Sequence, residues 1–286
     1  DARVFAVHVT VDKSHAGVWP QPAFAKLDRR EKIEREHWNY REFAERFIPF
    51  GLRPNIHNMV VGAERSLLVG NFVDRSESLW DLARSNVAAQ AVTSLVEETL
   101  GGWRDQAYAR EPKEGSIARE MQRAGMCRPE CIKPMYPEAA KRDGVFVNPD
   151  ELWGRLSALP QRYRLAPVHG DLHGENVRVR NGQAILIDLA SVAEGPLTAD
   201  LAALETWLAF QLPPGVDEHQ YRDPAWSAEI DRLYAPASFI HPPGPCEPTI
   251  KHCWMSTVVR QLRRMGVAAQ SCPTEYQAAV AAHLLR

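Results

Sequence analysis

Three oxygen-bearing side chains stand close together in the second half of the chain: Asp171 and Asn176 in HGDLHGEN (169–176), and Asp188 at the end of ILID (185–188). Phosphoryl transfer asks a protein mainly to position groups and neutralise charge. It needs a carboxylate beside the attacking hydroxyl, oxygen ligands for Mg2+ on the phosphates, and a cation on the remaining phosphate charge. Asp171 lies in a glycine-containing loop, where its carboxylate can take or orient a hydroxyl proton. Asn176, five positions on, offers a neutral amide oxygen suited to a hard cation. Asp188 follows VRVR (177–180) and Asn181-Gly182, the strongest short hairpin signal, so folding the hairpin returns its carboxylate toward the loop before the first strand.

These residues need a scaffold, and the rest of the chain supplies an order of elements. RVFAVHVTV (3–11) and AFAKL (23–27) read as strands. From Asp28 a charged stretch carries Ile33, Trp38 or His37, Tyr40 or Arg41, Ala44, and Phe47 or Ile48 near helical spacing, and Pro49 and Gly51 stop it. HNMVVGA (57–63) and SLLVGNFV (66–73) read as two more strands. Beyond Asp74 the character is helical: 78–103 as one long helix closing at a glycine pair, then 151–159, then 197–212. A proline-rich loop follows from about 213 to 250, and two helices close the chain. No internal repeat is present.

Composition narrows the function classes. Basic and acidic side chains number 34 and 36, a net charge of -2, which provides no field for gripping a nucleic-acid backbone. No apolar run approaches the ~20 residues of a membrane span, and DARVFAVHVTVDK lacks the order of a signal peptide. The five cysteines, an odd number on a long chain, read as reduced thiols, so a cytoplasmic protein is expected. Cys127 and Cys131 with Cys246, Cys253, His241 and His252 lack the paired spacing of a zinc site.

The pattern H-G-D-x-H-x-x-N, a short hairpin and then Ile-Asp resembles the catalytic core of the kinase-like phosphotransferases, the group of aminoglycoside phosphotransferases and choline kinases. The resemblance implies an α+β, bilobal protein-kinase-like fold: a small strand-rich N-lobe with one helix (1–73) and a larger, mainly helical C-lobe (74–286) whose catalytic loop lies within 168–190. It implies Asp171 as the catalytic residue and Asn176 and Asp188 as Mg2+ ligands, with His169 and His173 supporting the loop. Lys26 falls where the family places its phosphate-contacting lysine, and Glu36 is the helix carboxylate to pair with it, with Glu31, Glu34 and Glu42 as rivals. Gly70, Asn71 and Phe72 fall at the hinge that binds adenine. In GPLTADLAALE (195–205), Asp200 starts a helix beneath the catalytic loop, and a structural role is expected of it.

The implied function is Mg2+-dependent transfer of the terminal phosphoryl group of ATP or GTP to an unidentified hydroxyl acceptor, a small molecule rather than a protein. The other class is a non-catalytic nucleotide-binding or scaffolding module in a larger bacterial signalling or defence protein. GPLTADLAALE, VVRQLRRMGV and EYQAAVAAHLLR are similar to a bacterial ternary-complex-associated domain, which implies further domains. Two departures stand out: the sequence begins at the strand RVFAVHV, so a glycine-rich loop either lies upstream of it or is lacking, and Asp188 is followed by Leu189-Ala190. Trp103, Trp153, Trp207 and Trp254 read as core. Glu194, Glu205, Asp217 and Glu218 are candidates for receiving a cationic acceptor, although for most of them a solvated surface position is the expectation.

Overall fold

The computed structural model describes residues 2–9, 21–131, 135–142, 144, 148–213, 215–247 and 249–285. The first part is an antiparallel sheet of β1 (Arg3–Val9), β2 (Gln21–Arg29), β3 (Ile56–Val61) and β4 (Arg65–Asn71), in the order β1-β2-β4-β3. Residues 10 and 11, the expected end of the first strand, lie outside the described residues. Between β2 and β3 runs α1 (Arg30–Asn39), continued by a wider turn over Tyr40–Ala44 and a last turn at Glu45–Phe47. The buried stripe of α1 is Ile33, Glu36 and Asn39, while Trp38 is 56% exposed. The apolar spacing holds at Ile33, Tyr40, Ala44 and Ile48, which are buried, and fails at Trp38, with His37 half-buried; the inward face also carries two polar side chains because each has a polar partner waiting in the core.

The second part begins with β5 (Glu77–Ser78), α2 (Leu79–Arg84), α3 (Ala89–Ser94), a wide turn at Leu95–Thr99 and α4 (Gly101–Tyr108). The single long helix expected over 78–103 is thus broken after Arg84. Asn86 takes a left-handed φ of +58°, and the N–H of Val87 closes on the Leu82 carbonyl, a helix-ending turn that asparagine tolerates. The glycine pair does not stop the helix. A Cβ on Gly102 would lie 2.4 Å from the Phe47 carbonyl oxygen, so this glycine admits a close neighbour instead.

Further along come β6 (Lys113–Gly115), α5 (Ile117–Arg123), α6 (Met135–Arg142), α7 (Pro149–Ala158), β7 (Gln161–Tyr163) and β8 (Leu165–Val168). The hairpin β9 (Val177–Arg180) and β10 (Gln183–Leu186) pairs Arg180 with Gln183, and Asn181 and Gly182 both have positive φ, +53° and +78°, as a tight two-residue turn requires. After β11 (Ala193–Pro196) come α8 (Ala199–Phe210), α9 (Pro224–Tyr234), α10 (Cys253–Ala269) and α11 (Glu275–Leu284). Helix α9 replaces part of the expected proline-rich loop. Asp223 caps it through the Ala225 N–H at 2.9 Å with Pro224 as its first residue, where a missing N–H costs nothing.

Helix α8 is buried almost all round and packs against both α10 and α11. Its two internal carboxylates have partners. Glu205, fully buried, bonds Arg263 at 2.5 Å and the Tyr276 hydroxyl at 2.8 Å, so this residue belongs to the core and is not open to a cationic acceptor. Trp80 and Trp103 are also fully buried. The core joins Tyr40, Ala44, Ile48 and Leu52 of the first part to Leu79, Trp80 and Leu95 of the second, so the two parts share one apolar interior.

Candidate active site

Strand β2 carries Lys26 inward, and α1, which starts four residues later, turns Glu36 toward it. The Lys26 ammonium lies 2.9 Å from a Glu36 carboxylate oxygen and 2.8 Å from Asp188. Among the candidate helix carboxylates it is Glu36 that makes this pair; Glu34 bonds Arg30, and Glu42 bonds Arg46. Burial works against the Lys26 charge, but Glu36 and Asp188 outweigh it and hold its pKa above the ordinary lysine value. For Asp188 burial acts upward, yet Lys26 wins and keeps the carboxyl below the usual range. For Glu36 burial prevails over Lys26, and its carboxyl is pushed up. The cluster is thus a cation between two carboxylates, one held below and one above the usual carboxylate range.

Asp188 lies two residues beyond the end of β10 rather than at its end, with φ +57°, a left-handed conformation that aspartate adopts more readily than most residues. The N–H of Ile187 bonds the Asn176 carbonyl at 3.0 Å, which fastens the Asp188 segment to the loop before β9. The Asn176 amide donates to the Asp171 carbonyl at 2.9 Å, turning the six-residue loop 171–176 back on itself. Lys26, Glu36, Asn176 and Asp188 line one cavity of about 400 Å3, walled by Phe24, Leu68, Phe72, Val73, Ile187 and Leu189. Asn71 and Phe72 of the expected hinge line it too, while Gly70 stands one residue back, where a Cβ would meet the Phe24 ring at 2.7 Å. The N–H groups of Asn71 and Phe72 donate to the carbonyls of Asn55 and Pro22.

Asp171 opens into a neighbouring cavity with His173, Thr206, Trp207 and Phe210. One short loop therefore serves two cavities, with Asn176 in the first and Asp171 in the second. The loop itself is shaped by its glycines: Gly170 has φ +79°, with a Cβ position 2.3 Å from the Ser191 carbonyl oxygen, and Gly174 lies beneath the Trp80 and Trp207 side chains. Asn176 and Asp188 are hard oxygen donors on one cavity wall, and Mg2+ in phosphate sites is commonly held by one or two such groups plus phosphate and water. The donor set fits Mg2+.

The sequence profile described as the phosphotransferase enzyme family matches residues 79–235, more than half of the chain. The chain belongs to this family. No curated protein matches the chain. Among solved structures it is similar to a glucosamine kinase, at 12% identity over 100% of this chain and 75% of that one, TM-score 0.48. It is similar as well to a thermostable mutant of aminoglycoside phosphotransferase APH(4)-Ia, at 14% identity over 99% and 92%, TM-score 0.46. A third is aminoglycoside phosphotransferase APH(3'')-Id from Streptomyces rimosus, at 17% identity over 91% and 89%, TM-score 0.43.

Three further residues of this phosphotransferase-family chain take their places around the site in three dimensions. Asn39, on the buried stripe of α1, donates to the carbonyls of Leu189 and Ala190 at 2.9 and 3.2 Å, and so clamps the segment that carries Asp188. Its signal was available: an asparagine three residues after Glu36 shares that helix face. Arg178 reaches from β9 into the first cavity, its guanidinium held at 3.1 Å by the Ser76 hydroxyl. Nothing in VRVR marks it. Asp200 does not cap its helix; its carboxylate accepts the backbone N–H groups of His169 at 2.6 Å and Gly170 at 3.1 Å. His169, fully buried, donates from its ring to the Ile187 carbonyl at 2.9 Å, a second tie between the loop and the Asp188 segment.

Proposed function

We propose that this kinase-type phosphotransferase moves the terminal phosphoryl group of ATP or GTP to the hydroxyl of a small molecule. What supports this reading above all is the division of labour around one loop: Lys26, Asn176 and Asp188 converge on one cavity, and Asp171 opens into the next. In this proposal the nucleotide occupies the first cavity, with its base toward Asn71 and Phe72 and its phosphates toward Lys26. Mg2+, held by Asn176 and Asp188, would neutralise charge on the phosphates. Asp171 receives the proton of the acceptor hydroxyl as its oxygen bonds the terminal phosphorus, and the bond from that phosphorus to the bridging oxygen breaks, leaving the nucleoside diphosphate. Glu36 keeps Lys26 in place.

The same proposal divides the chain into a small lobe of residues 1–73 and a large lobe of residues 74–286. Among the described residues no helix is long and apolar enough to cross a membrane. The thiols of Cys246, Cys253 and Cys272 are free, and a cytoplasmic location belongs to the same proposal.

A nucleotide thermal-shift titration with and without Mg2+, followed by turnover of labelled ATP and GTP, tests the reading. Asp171→Asn should retain the Mg2+-dependent shift and lose transfer and background hydrolysis by at least about 100-fold. Unchanged hydrolysis in that variant would remove Asp171 from the proposed role. A shift without any turnover in the parent chain would favour the non-catalytic module.

A further inference from the structure

A third cavity, of about 420 Å3, lies between the start of α3, the segment 239–242 and one face of α10, and it shares no lining residue with the two cavities of the candidate active site. Its polar wall is basic. Thr257, Arg260, Gln261 and Arg264 recur at helical spacing on α10 and so stand on one face. Among the described lining residues there is no carboxylate to answer the arginines.

The arginines of this wall differ in their engagements. Arg263 is turned into the core, where it bonds Glu205, and its guanidinium carbon stands 4.0 Å from the centre of the Phe239 ring. Arg260 and Arg264 have no ion-pair or side-chain hydrogen-bond partner among the described residues. Like charges four residues apart on a helix repel. The Nε of Arg260 is moreover shut off from water with no acceptor on it, a buried donor left unbonded at a cost to the fold. An oxyanion between the two guanidinia relieves the repulsion, and a small turn of the Arg260 side chain would give its Nε–H an acceptor. Guanidinium groups suit this task because each can hold a carboxylate or phosphate through two parallel N–H groups.

The remaining wall is apolar. Ile240 is 72% exposed, and Pro242 and Val267 line the same cavity. Phe239, with Arg263 over one face, backs them. The walls are fixed before any ligand arrives: the Gln261 amide donates to the Ala89 carbonyl at 2.8 Å and to the Thr93 hydroxyl at 3.1 Å, tying α10 to α3, while the Arg263 and Glu205 pair anchors α10 from within. A preformed, largely apolar hollow with two convergent charged groups, within the size range of small-molecule sites, selects a ligand that is anionic at one end and apolar in its body.

We propose that this cavity binds an amphipathic oxyanion, an alkyl carboxylate or alkyl phosphate, with its head between Arg260 and Arg264 and its chain along Ile240, Pro242 and Val267. The site is separate from the nucleotide and acceptor cavities, so its occupation does not depend on phosphoryl transfer.

The test is calorimetric titration of the whole chain at low ionic strength with octanoate, octyl phosphate, 1-octanol and inorganic phosphate. At least one of the two amphipathic anions should bind, and which of them binds more tightly identifies the head group. The neutral alcohol and the bare phosphate should each bind weaker by about tenfold or more, since one lacks the charge and the other the chain. Arg264 and Ile240 are both exposed, so Arg264→Gln and Ile240→Ser should keep the fold and the Mg2+-dependent nucleotide shift of the parent chain, while each weakens the anion by about tenfold or more. Absence of binding by both amphipathic anions would overturn the proposal. So would 1-octanol or inorganic phosphate binding as tightly as they do, or an affinity left unchanged by either variant.

Discussion

Replacing Asp200 with asparagine is the sharpest perturbation of the loop that carries Asp171. The two carboxylate oxygens of Asp200 each accept one backbone N–H, from His169 and Gly170, in a fully buried setting. Asparagine keeps the shape but has one acceptor; its amide nitrogen would face an N–H. One charge-assisted hydrogen bond worth about 1.5–3 kcal/mol is lost, and one buried N–H is stranded at a cost of about 1–3 kcal/mol. Burial pushes the Asp200 carboxyl above its ordinary range, so removing the charge returns part of this loss. A net destabilisation of about 2–4 kcal/mol in urea unfolding is expected. Gly170 adjoins Asp171, and a shift of about 1 Å in a reacting group can cost about 100-fold in rate, so kcat should fall by that order while the nucleotide KM holds. If Asp200→Asn unfolds within about 0.5 kcal/mol of the parent chain, the charge-assisted account of the loop is wrong. If stability falls but kcat does not, Asp200 supports the fold without positioning Asp171.

Glu275 accepts hydrogen bonds from the Thr198 hydroxyl and the Ser271 N–H, and burial raises its carboxyl from 4.5 to about 6. The folded chain therefore holds this proton more tightly than the unfolded one, so stability should decline as pH rises from 4.5 to 6. Its contribution to that slope is up to about 2 kcal/mol, and chemical denaturation of Glu275→Gln should show a correspondingly flatter profile. In the core, Arg263→Met should cost about 3–5 kcal/mol by stranding the Glu205 carboxylate, whereas the double change with Glu205→Leu should recover most of the loss. Additive losses in the urea-unfolding cycle would contradict the pairing.

Much of the candidate site could be read from the one-dimensional pattern because its signals are local. HGDLHGEN, the Asn181-Gly182 turn and Ile187-Asp188 lie within twenty residues of one another, and a two-residue hairpin leaves little freedom in how they meet. The strands around Lys26 and the helix after them were legible for the same reason: alternation and helical spacing are short-range properties. Helix ends were harder. A break at Asn86 and a continuation through Gly101-Gly102 depend on whether a neighbour such as Phe47 closes on the backbone, and nothing local reports that neighbour.

The residue types and spacing of Asp171, Asn176 and Asp188 by themselves pointed to a kind of chemistry, because phosphoryl transfer needs a particular set of oxygen donors and a short motif can hold it. Which charges meet was decided only by tertiary structure. Lys26 and Asp188 are 162 positions apart in sequence and yet meet at 2.8 Å. The choice of Glu36 over its rivals follows from which face of α1 packs inward. Asn39 and Asp200 take their tasks from carbonyls and N–H groups that arrive from elsewhere in the chain. The lining of the second cavity is the clearest case: loop 171–176, α8 and the end of α11 meet there, and no single segment carries the chemistry of the acceptor it would hold.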